Sequence, residues 1–430
     1  MTRLNAALAQ RATGAILFIA CLLLWAALTK VHTHSWQEES RMATVQALVE
    51  QGTFAIDHTE FNRTGDKVLV NDHFYSDKTP LLSVAAAGVY AILHNGFGLT
   101  LDPTICVPDA DPSACRAFGP AGLRLTAFYW LTLIFVGAAS ALLIALFWKA
   151  LLMRGLSGSA ATGLALALGL ASPIAPYSIV FAGHVPAALS LFAGFWLLTL
   201  APSRPRFFWA GLLISLAANI DLTLAVFLVA FGVYVFASQR RGVVPFALGA
   251  LLPFGASAII NYAAAGTLAP LYFDPKAYDF FGTVLNKTVG GTAGFYSLDF
   301  GLRYAYDLLV GRRGLFSFTP LLVFAVAGLW RALRNRCAAL RPLAVAALAG
   351  SLAFTLYLIL RTDNFGGTAW GTRWFVPLIP LGWYFVACWF EPRRGVWWKL
   401  ALVAAIGLSF LTAVSGLHDA WRDVPPIIRL

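Results

Sequence analysis

Unbroken apolar runs follow one another along this chain, each close to the roughly 20 residues that a helix needs to cross the hydrocarbon core of a bilayer. Crossings read at 13–31, 121–148, 158–177, 184–201, 243–262, 315–332, 342–360, 374–390 and 396–415. The stretch 207–237 is too long for one ordinary crossing and too short for two full ones. Arg204 and Arg206 precede it and Arg240 and Arg241 follow it. With both flanks on one side, two short helices must rise and return, meeting near Asn219-Ile220-Asp221. The expected fold is therefore all-α and polytopic, a single membrane domain over 1–430 with about 11 transmembrane helices, two of them short.

Composition excludes the alternatives. The chain is 59% hydrophobic and only 12% charged, whereas soluble domains carry about a quarter charged residues. A transmembrane β-barrel would show short alternating segments instead of continuous runs. The net charge of +11 would point to nucleic acid in a soluble chain, but its placement explains it here. With the N-terminus inside, fifteen of the 31 basic residues fall on inside segments, against a single acid, Glu391. That bias is the positive-inside rule, and no nucleic-acid partner is needed. The first helix ends in Leu28-Thr29-Lys30 without a small-x-small site, so it is expected to remain as an anchor. The sizeable external segments are a first loop, 32–120, and a second, 263–314. Cys106 and Cys115 share the first loop, where an oxidising compartment would permit a disulfide.

The acids concentrate in the first loop. Met42, Val45, Leu48 and Val49 recur at helical spacing after His34-Ser35-Trp36-Gln37-Glu38-Glu39-Ser40-Arg41, predicting an amphipathic helix on the membrane surface. Ser35 with Glu38 three residues on matches a capping box. Glu38 thus either closes the first helical turn or, with Glu39, supplies a general base at the mouth of a membrane cavity. Residues 53–77 alternate polar and apolar around a Thr64-Gly65-Asp66 turn signal, predicting a small hairpin. Tyr75-Ser76-Asp77-Lys78-Thr79-Pro80-Leu81 follows, leading an apolar stretch that ends at His94. With no basic flank beyond it, that stretch reads as a helix lying in the interface. Lys78 is either a snorkelling residue or a phosphate ligand at the membrane surface.

The acidic pair with Arg41 and the aromatic-acid-Lys-x-Pro-Leu run together resemble the GT-C membrane glycosyltransferases, nearest their protein O-mannosyltransferase and lipid A aminoarabinose transferase branch. Ala171-Ser172-Pro173, Gly314-Leu315-Phe316-Ser317-Phe318-Thr319-Pro320, and Gly366-Gly367-Thr368-Ala369-Trp370-Gly371-Thr372-Arg373-Trp374 fit the same branch. The resemblance covers about residues 10–400. It implies an inverting transferase that moves a sugar from a polyprenyl-phosphate donor to a hydroxyl on a lipid, glycan or protein acceptor. The active site would face the periplasm of a bacterial inner membrane, with the N-terminus cytoplasmic. By resemblance Glu38 and Glu39 hold the acidic-pair positions and Lys78 that of a phosphate-contacting Lys. Two positions depart from the pattern: Glu38 stands where Asp is usual, and Thr79 replaces the first Pro of Lys-Pro-Pro.

Other residues complete the expected site. Arg373, before a span, is a second phosphate ligand because a planar fork suits phosphate. Arg312 and Arg313 stand outside the eighth span against the topology bias, as phosphate ligands or interfacial anchors. Arg41, Tyr75, Asp77, Asp363 and Trp370 are further cavity candidates. Asp221 is the one intramembrane acid, read as the cap of a short helix or as a functional group, and His184 reads as structural. Oxygen ligands at Glu38 and Glu39 suit Mg²⁺ or Mn²⁺, though the sequence requires no metal. The competing reading is a transporter or flippase for a phosphate-bearing lipid or sugar, which would use the same charged groups without chemistry.

Overall fold

The computed structural model describes residues 2–101, 126–283, 297–334, 337–362, 365–390 and 395–421. Cys106, Cys115 and Asp363 lie outside them. Cys337 and Cys388 are joined by a disulfide, their Cα atoms 6.1 Å apart, and Cys21 is free and buried.

The protein is a polytopic helical membrane protein. Five of the expected crossings are continuous helices long and apolar enough to span: Gln10–Leu28 (within α1, Thr2–Leu28), Ala127–Met153, Arg240–Ala265, Arg341–Arg361 and Val396–His418. The other crossings are shorter than the sequence led one to expect, and not only the pair at 207–237. Gly158–Leu170, His184–Thr199 and Leu322–Leu333 are each under 18 residues. The segment 374–390 breaks into short helical pieces, Arg373–Leu378, Ile379–Tyr384 and Val386–Trp389. Proline is a cause at two of these breaks: Pro173 follows the end of Gly158–Leu170, and Pro377 and Pro380 interrupt the ladder in the other segment.

The expected short pair is present as Arg204–Ile220 and Leu222–Ser238. Arg204–Ile220 runs beside Val243–Ala265 at two glycines. A Cβ on Gly211 would lie 2.0 Å from the Phe246 carbonyl oxygen, and one on Gly249 would lie 2.0 Å from that of Phe208. Only glycine lets the two backbones meet this closely, the small-residue packing common between membrane helices.

The first loop folds against one end of the bundle. Its elements are α2 (Trp36–Gln46), β1 (Lys67–Val70), β2 (His73–Ser76) and α3 (Pro80–Phe97). The strands pair antiparallel with Lys67 opposite Ser76 and Val70 opposite His73. The hairpin reverses at Asn71-Asp72, whose φ angles of 50° and 64° are the left-handed pair that a two-residue hairpin turn demands. Thr64-Gly65-Asp66, the expected turn, instead leads into β1. The loop also corrects the picture of α2. Gln37 to Gln46 are all buried, so α2 is enclosed within the protein and does not float on a surface. The hairpin covers it: Ser40 Oγ donates to the Asp66 carbonyl at 2.5 Å and lies 2.6 Å from Ser76 Oγ, and Thr64 Oγ1 donates to the Trp36 carbonyl at 2.9 Å.

α3 is long and apolar enough to span, but its contacts lay it across one face. The Lys30 N–H, just past α1, donates to Ile179 O at 3.0 Å, and Thr126 Oγ1 donates to Val31 O at 2.8 Å. The far end of α3 joins this same level, where the Ala127 N–H donates to Thr100 O at 3.1 Å. Its near end meets the C-terminal ends of two other helices. Thr79 Oγ1 donates to Ile220 O at 3.1 Å, and Pro80 lines a small pocket with Ile260, Asn261 and Ala264. Both ends of α3 thus lie at one face of the bundle, the geometry of an interfacial helix.

Candidate active site

Residues of α2, the segment 77–79 between the hairpin and α3, and several helix ends line a partly open cavity of about 690 Å³. Its polar wall comes from α2 and the residues before α3, from Gly183 and His184, from the Asp221 turn, and from Arg373. Ile220, Leu222, Val226, Leu358 and Trp374 make an apolar wall.

Three cations define the polar side. Lys78 Nζ lies 2.7 Å from Asp66 Oδ2 and 2.9 Å from Asp77 Oδ1. Burial opposes the lysine charge, but Asp66 and Asp77 outweigh it and hold the ammonium above its ordinary value. Asp77 is pushed above the carboxylate range, chiefly by burial, with Lys78 and Arg41 working against the shift. Arg41 is buried on α2 and reaches only a carbonyl, Thr79 O, from Nη1 at 3.4 Å. Burial lowers it to about 10, with Asp77 and Asp221 countering, so it stays charged at neutral pH. Arg373 Nη1 donates to Gln37 Oε1, and its guanidinium carbon sits 5.2 Å from the centre of the Trp421 ring. Among the described residues neither guanidinium is ion-paired with a carboxylate, and the Nε of each is buried without a partner. Two such forks facing one cavity make a ready site for an anion with several oxygens.

Opposite charge comes from the short helix pair. Asp221 Oδ1 accepts from the Thr223 N–H at 3.3 Å and from Thr223 Oγ1 at 2.6 Å, which is the capping role. Its other oxygen, Oδ2, lies 3.5 Å from His184 Nδ1. Asp221 therefore caps and faces the cavity at once.

Arg41, Asp77, Lys78 and Arg373 are thus brought together as the sequence led one to expect, with Asp221 beside them; the other described candidates are not, and Asp363 lies outside the described residues. Glu38 is fully buried and lies off the cavity wall. Its Oε1 accepts from the Phe181 N–H at 3.0 Å, and its Oε2 accepts from the His34 N–H at 2.8 Å and from Ser35 Oγ at 3.1 Å. Ser35 Oγ in turn accepts from the Glu38 N–H at 3.3 Å, completing the capping box. Burial pushes Glu38 up to about 7. Glu39 is also buried off the wall, and burial together with the charges of Glu38 and Asp66 raises it to about 7. Tyr75 lines the small neighbouring pocket. Trp370 is packed in the core, its Nε1 donating to Thr412 O at 3.1 Å. Arg312 is exposed, and Arg313 donates to Gly367 O at 3.1 Å, away from the cavity. Among the described residues no group of three or more His, Cys, Asp or Glu is placed to hold a metal ion, and the Glu38 oxygens are already taken by donors.

His184, Gln37, Tyr272, Tyr278 and Tyr357 line the cavity without having been singled out for it. For His184 the available clue was its place, two residues before Pro186 at a helix start and level with the one intramembrane acid.

No family model matches the sequence, and no curated protein matches it. The chain is similar in structure to ArnT from Cupriavidus metallidurans, solved by crystallography bound to undecaprenyl phosphate. The TM-score is 0.50 at 17% sequence identity, over 91% of this chain. The chain spans 62% of the length of that structure. The shared feature is the fold, a polytopic helical bundle.

Proposed function

We propose that the protein is a membrane glycosyltransferase that takes a sugar from a polyprenyl-phosphate donor and passes it, with inversion, to a hydroxyl acceptor. The observation that carries the proposal is the pair of guanidinium groups, Arg41 and Arg373, facing the cavity beside Lys78 without carboxylate partners of their own among the described residues. A donor phosphodiester supplies the missing anion. The apolar wall of Ile220, Leu222, Val226, Leu358 and Trp374 suits the start of its prenyl chain, which would continue into lipid past the short helices. When the bond from the anomeric carbon to the phosphate oxygen breaks, charge grows on that oxygen, and fixed cations in a water-poor site stabilise it most where it grows. A single displacement inverts the carbon, and phosphate leaves without needing a strong acid, so one base suffices. The ArnT structure, bound to undecaprenyl phosphate, gives the same fold a phosphate-bearing lipid. We place the N-terminus in the cytoplasm and the cavity at the periplasmic face of a bacterial inner membrane, following the loop charges.

Native mass spectrometry of the purified protein with undecaprenyl phosphate, and with undecaprenol of equal length, tests the donor assignment. Retention of the phosphate and not of the alcohol, lost in Arg41→Ala with Arg373→Ala, is the expected result. Equal retention of both lipids would overturn it. Turnover of a polyprenyl-phosphate sugar then separates a transferase from a flippase, because only the former releases free undecaprenyl phosphate.

A further inference from the structure

We infer that His184, oriented by Asp221, is the general base that deprotonates the acceptor hydroxyl. The inference rests on the transferase reading above and assigns a step in it.

Four observations meet at this residue. His184 is buried yet lines the cavity. Its Nε2 has no hydrogen-bond partner among the described residues, although buried polar groups almost always have one. Its Nδ1 lies 3.5 Å from Asp221 Oδ2, a separation that tightens into a hydrogen bond in many sites only when substrate is present. Finally, the cations assigned to the phosphate line the same cavity, and Arg41 is close to the residue before it, since a Cβ on Gly183 would come within 3.3 Å of Arg41 Nη2.

The tautomer follows from the neighbours. A carboxylate at Nδ1 can only accept, so the neutral ring keeps its proton on Nδ1 and presents a lone pair at Nε2. A lone pair is repelled by phosphate oxygens and welcomes an O–H donor. Nε2 is therefore a buried acceptor left unsatisfied on a residue of the cavity wall, which is the property a base requires of an atom that an acceptor O–H comes to meet. Among the described residues, the two carboxylates on the wall are less available: Asp77 is ion-paired with Lys78, and Asp221 is engaged by Thr223 and His184. Glu38 and Glu39 lie off the wall.

In the step itself the acceptor oxygen forms a bond to the anomeric carbon while its proton passes to Nε2. The bond from that carbon to the phosphate oxygen breaks, and its electron pair leaves on the polyprenyl phosphate, beside Arg41, Lys78 and Arg373. Asp221 steadies the imidazolium, which then returns its proton to solvent. Asp221 acts through His184 and is a positioning residue.

The test uses the full-length protein in nanodiscs with undecaprenyl phosphate carrying mannose, glucose or 4-amino-arabinose, and an envelope lipid and glycan extract as acceptor. The donor that the wild type consumes is carried forward. His184→Ala should lower kcat by roughly 10²–10⁴-fold while retaining undecaprenyl phosphate as the wild type does, and added imidazole should restore part of the rate. His184→Gln keeps the bulk of the ring and serves if the alanine variant misfolds; it should be equally slow. Asp221→Asn should lower kcat with an unchanged donor KM. A His184 variant that transfers at the wild-type rate overturns the base, with the transferase reading intact. Loss of undecaprenyl phosphate retention, or a slow folded alanine variant that imidazole does not restore, overturns it too, by making the residue a phosphate ligand or a packing element. If the wild type consumes none of the donors and retains no undecaprenyl phosphate, the transferase reading fails first and the base falls with it.

Discussion

Glu38 Oε1 accepts the Phe181 N–H at 3.0 Å, a bond that joins the first turn of α2 to the segment ahead of His184. The carboxylate serves two masters, since its other oxygen takes the His34 N–H at 2.8 Å. It therefore holds the loop that carries Arg41 against the helix start that carries His184.

Replacing Glu38 tests that structural role. Glu38→Gln keeps one acceptor oxygen and turns the other into a donor, which then faces an N–H. The expected result is a clear drop in Tm and a loss of transfer accompanied by weaker undecaprenyl phosphate retention. A residue acting only as a base would lose the rate and keep the lipid.

The same pair sets a pH dependence. Glu38 and Glu39 both sit near 7 in the folded protein, against an ordinary carboxylate value of 4.5. Between these values the folded state binds more protons than the unfolded one, so stability falls as pH rises from about 4.5 through about 7 and levels off above. Below 4.5 both states are protonated and the pair contributes no slope. Thermal unfolding in detergent should thus give a higher Tm at pH 5 than at pH 7.5, and Glu39→Gln should flatten the difference.

The cavity cations should separate by substrate step. Lys78→Ala removes a charge already shared with Asp66 and Asp77 and leaves both carboxylates unpaired. Donor KM should rise by roughly 10- to 100-fold, the worth of one charged hydrogen bond of about 1.5–3 kcal/mol. Asp66→Asn should raise it far less. Steady-state kinetics with the active donor reads both.

Three sites report on the fold alone. Gly211→Leu or Gly249→Leu should force apart Arg204–Ile220 and Val243–Ala265, at a cost of at least about 1–3 kcal/mol, visible as a lowered Tm. At the hairpin, Asp72→Gly should be neutral or slightly stabilising, because φ of 64° suits glycine better. Asp72→Val should lower Tm by the same reasoning. Ser35→Ala should cost about 1 kcal/mol as a lost cap.

Much of the architecture could be read from local pattern. Apolar run length located the crossings, the basic flanks of 207–237 required the short pair, and Ser35-x-x-Glu38 foretold the capping box. Arg373 was reachable from residue type and position before a span, Lys78 from its place beside a proline-started helix together with the family resemblance, and Arg41 through the resemblance. What escaped depended on packing between distant parts of the chain. The burial of α2 requires a hairpin that reaches back over it through Ser40 and Thr64. The Asn71-Asp72 turn competed with a more obvious glycine at Gly65. The approach of His184 to Asp221 depends on Arg204–Ile220 returning beside His184–Thr199, and no spacing in the sequence encodes that distance. The acidic pair drew the assignment of the base through the family resemblance, while spacing alone already offered the capping role, and only the hydrogen bonds of Glu38 reveal how fully it is occupied.

Two guanidinium groups without a carboxylate partner among the described residues have a kinetic corollary. A donor phosphodiester carries one negative charge, whereas the lipid monoester left after transfer carries up to two. If the protein is the transferase proposed, Arg41 and Arg373 would grip the spent carrier more strongly than the fresh one. Turnover would be paced by departure of the used lipid, giving a burst of glycoside in the first cycle, a rate that rises with ionic strength, and competitive inhibition by undecaprenyl phosphate.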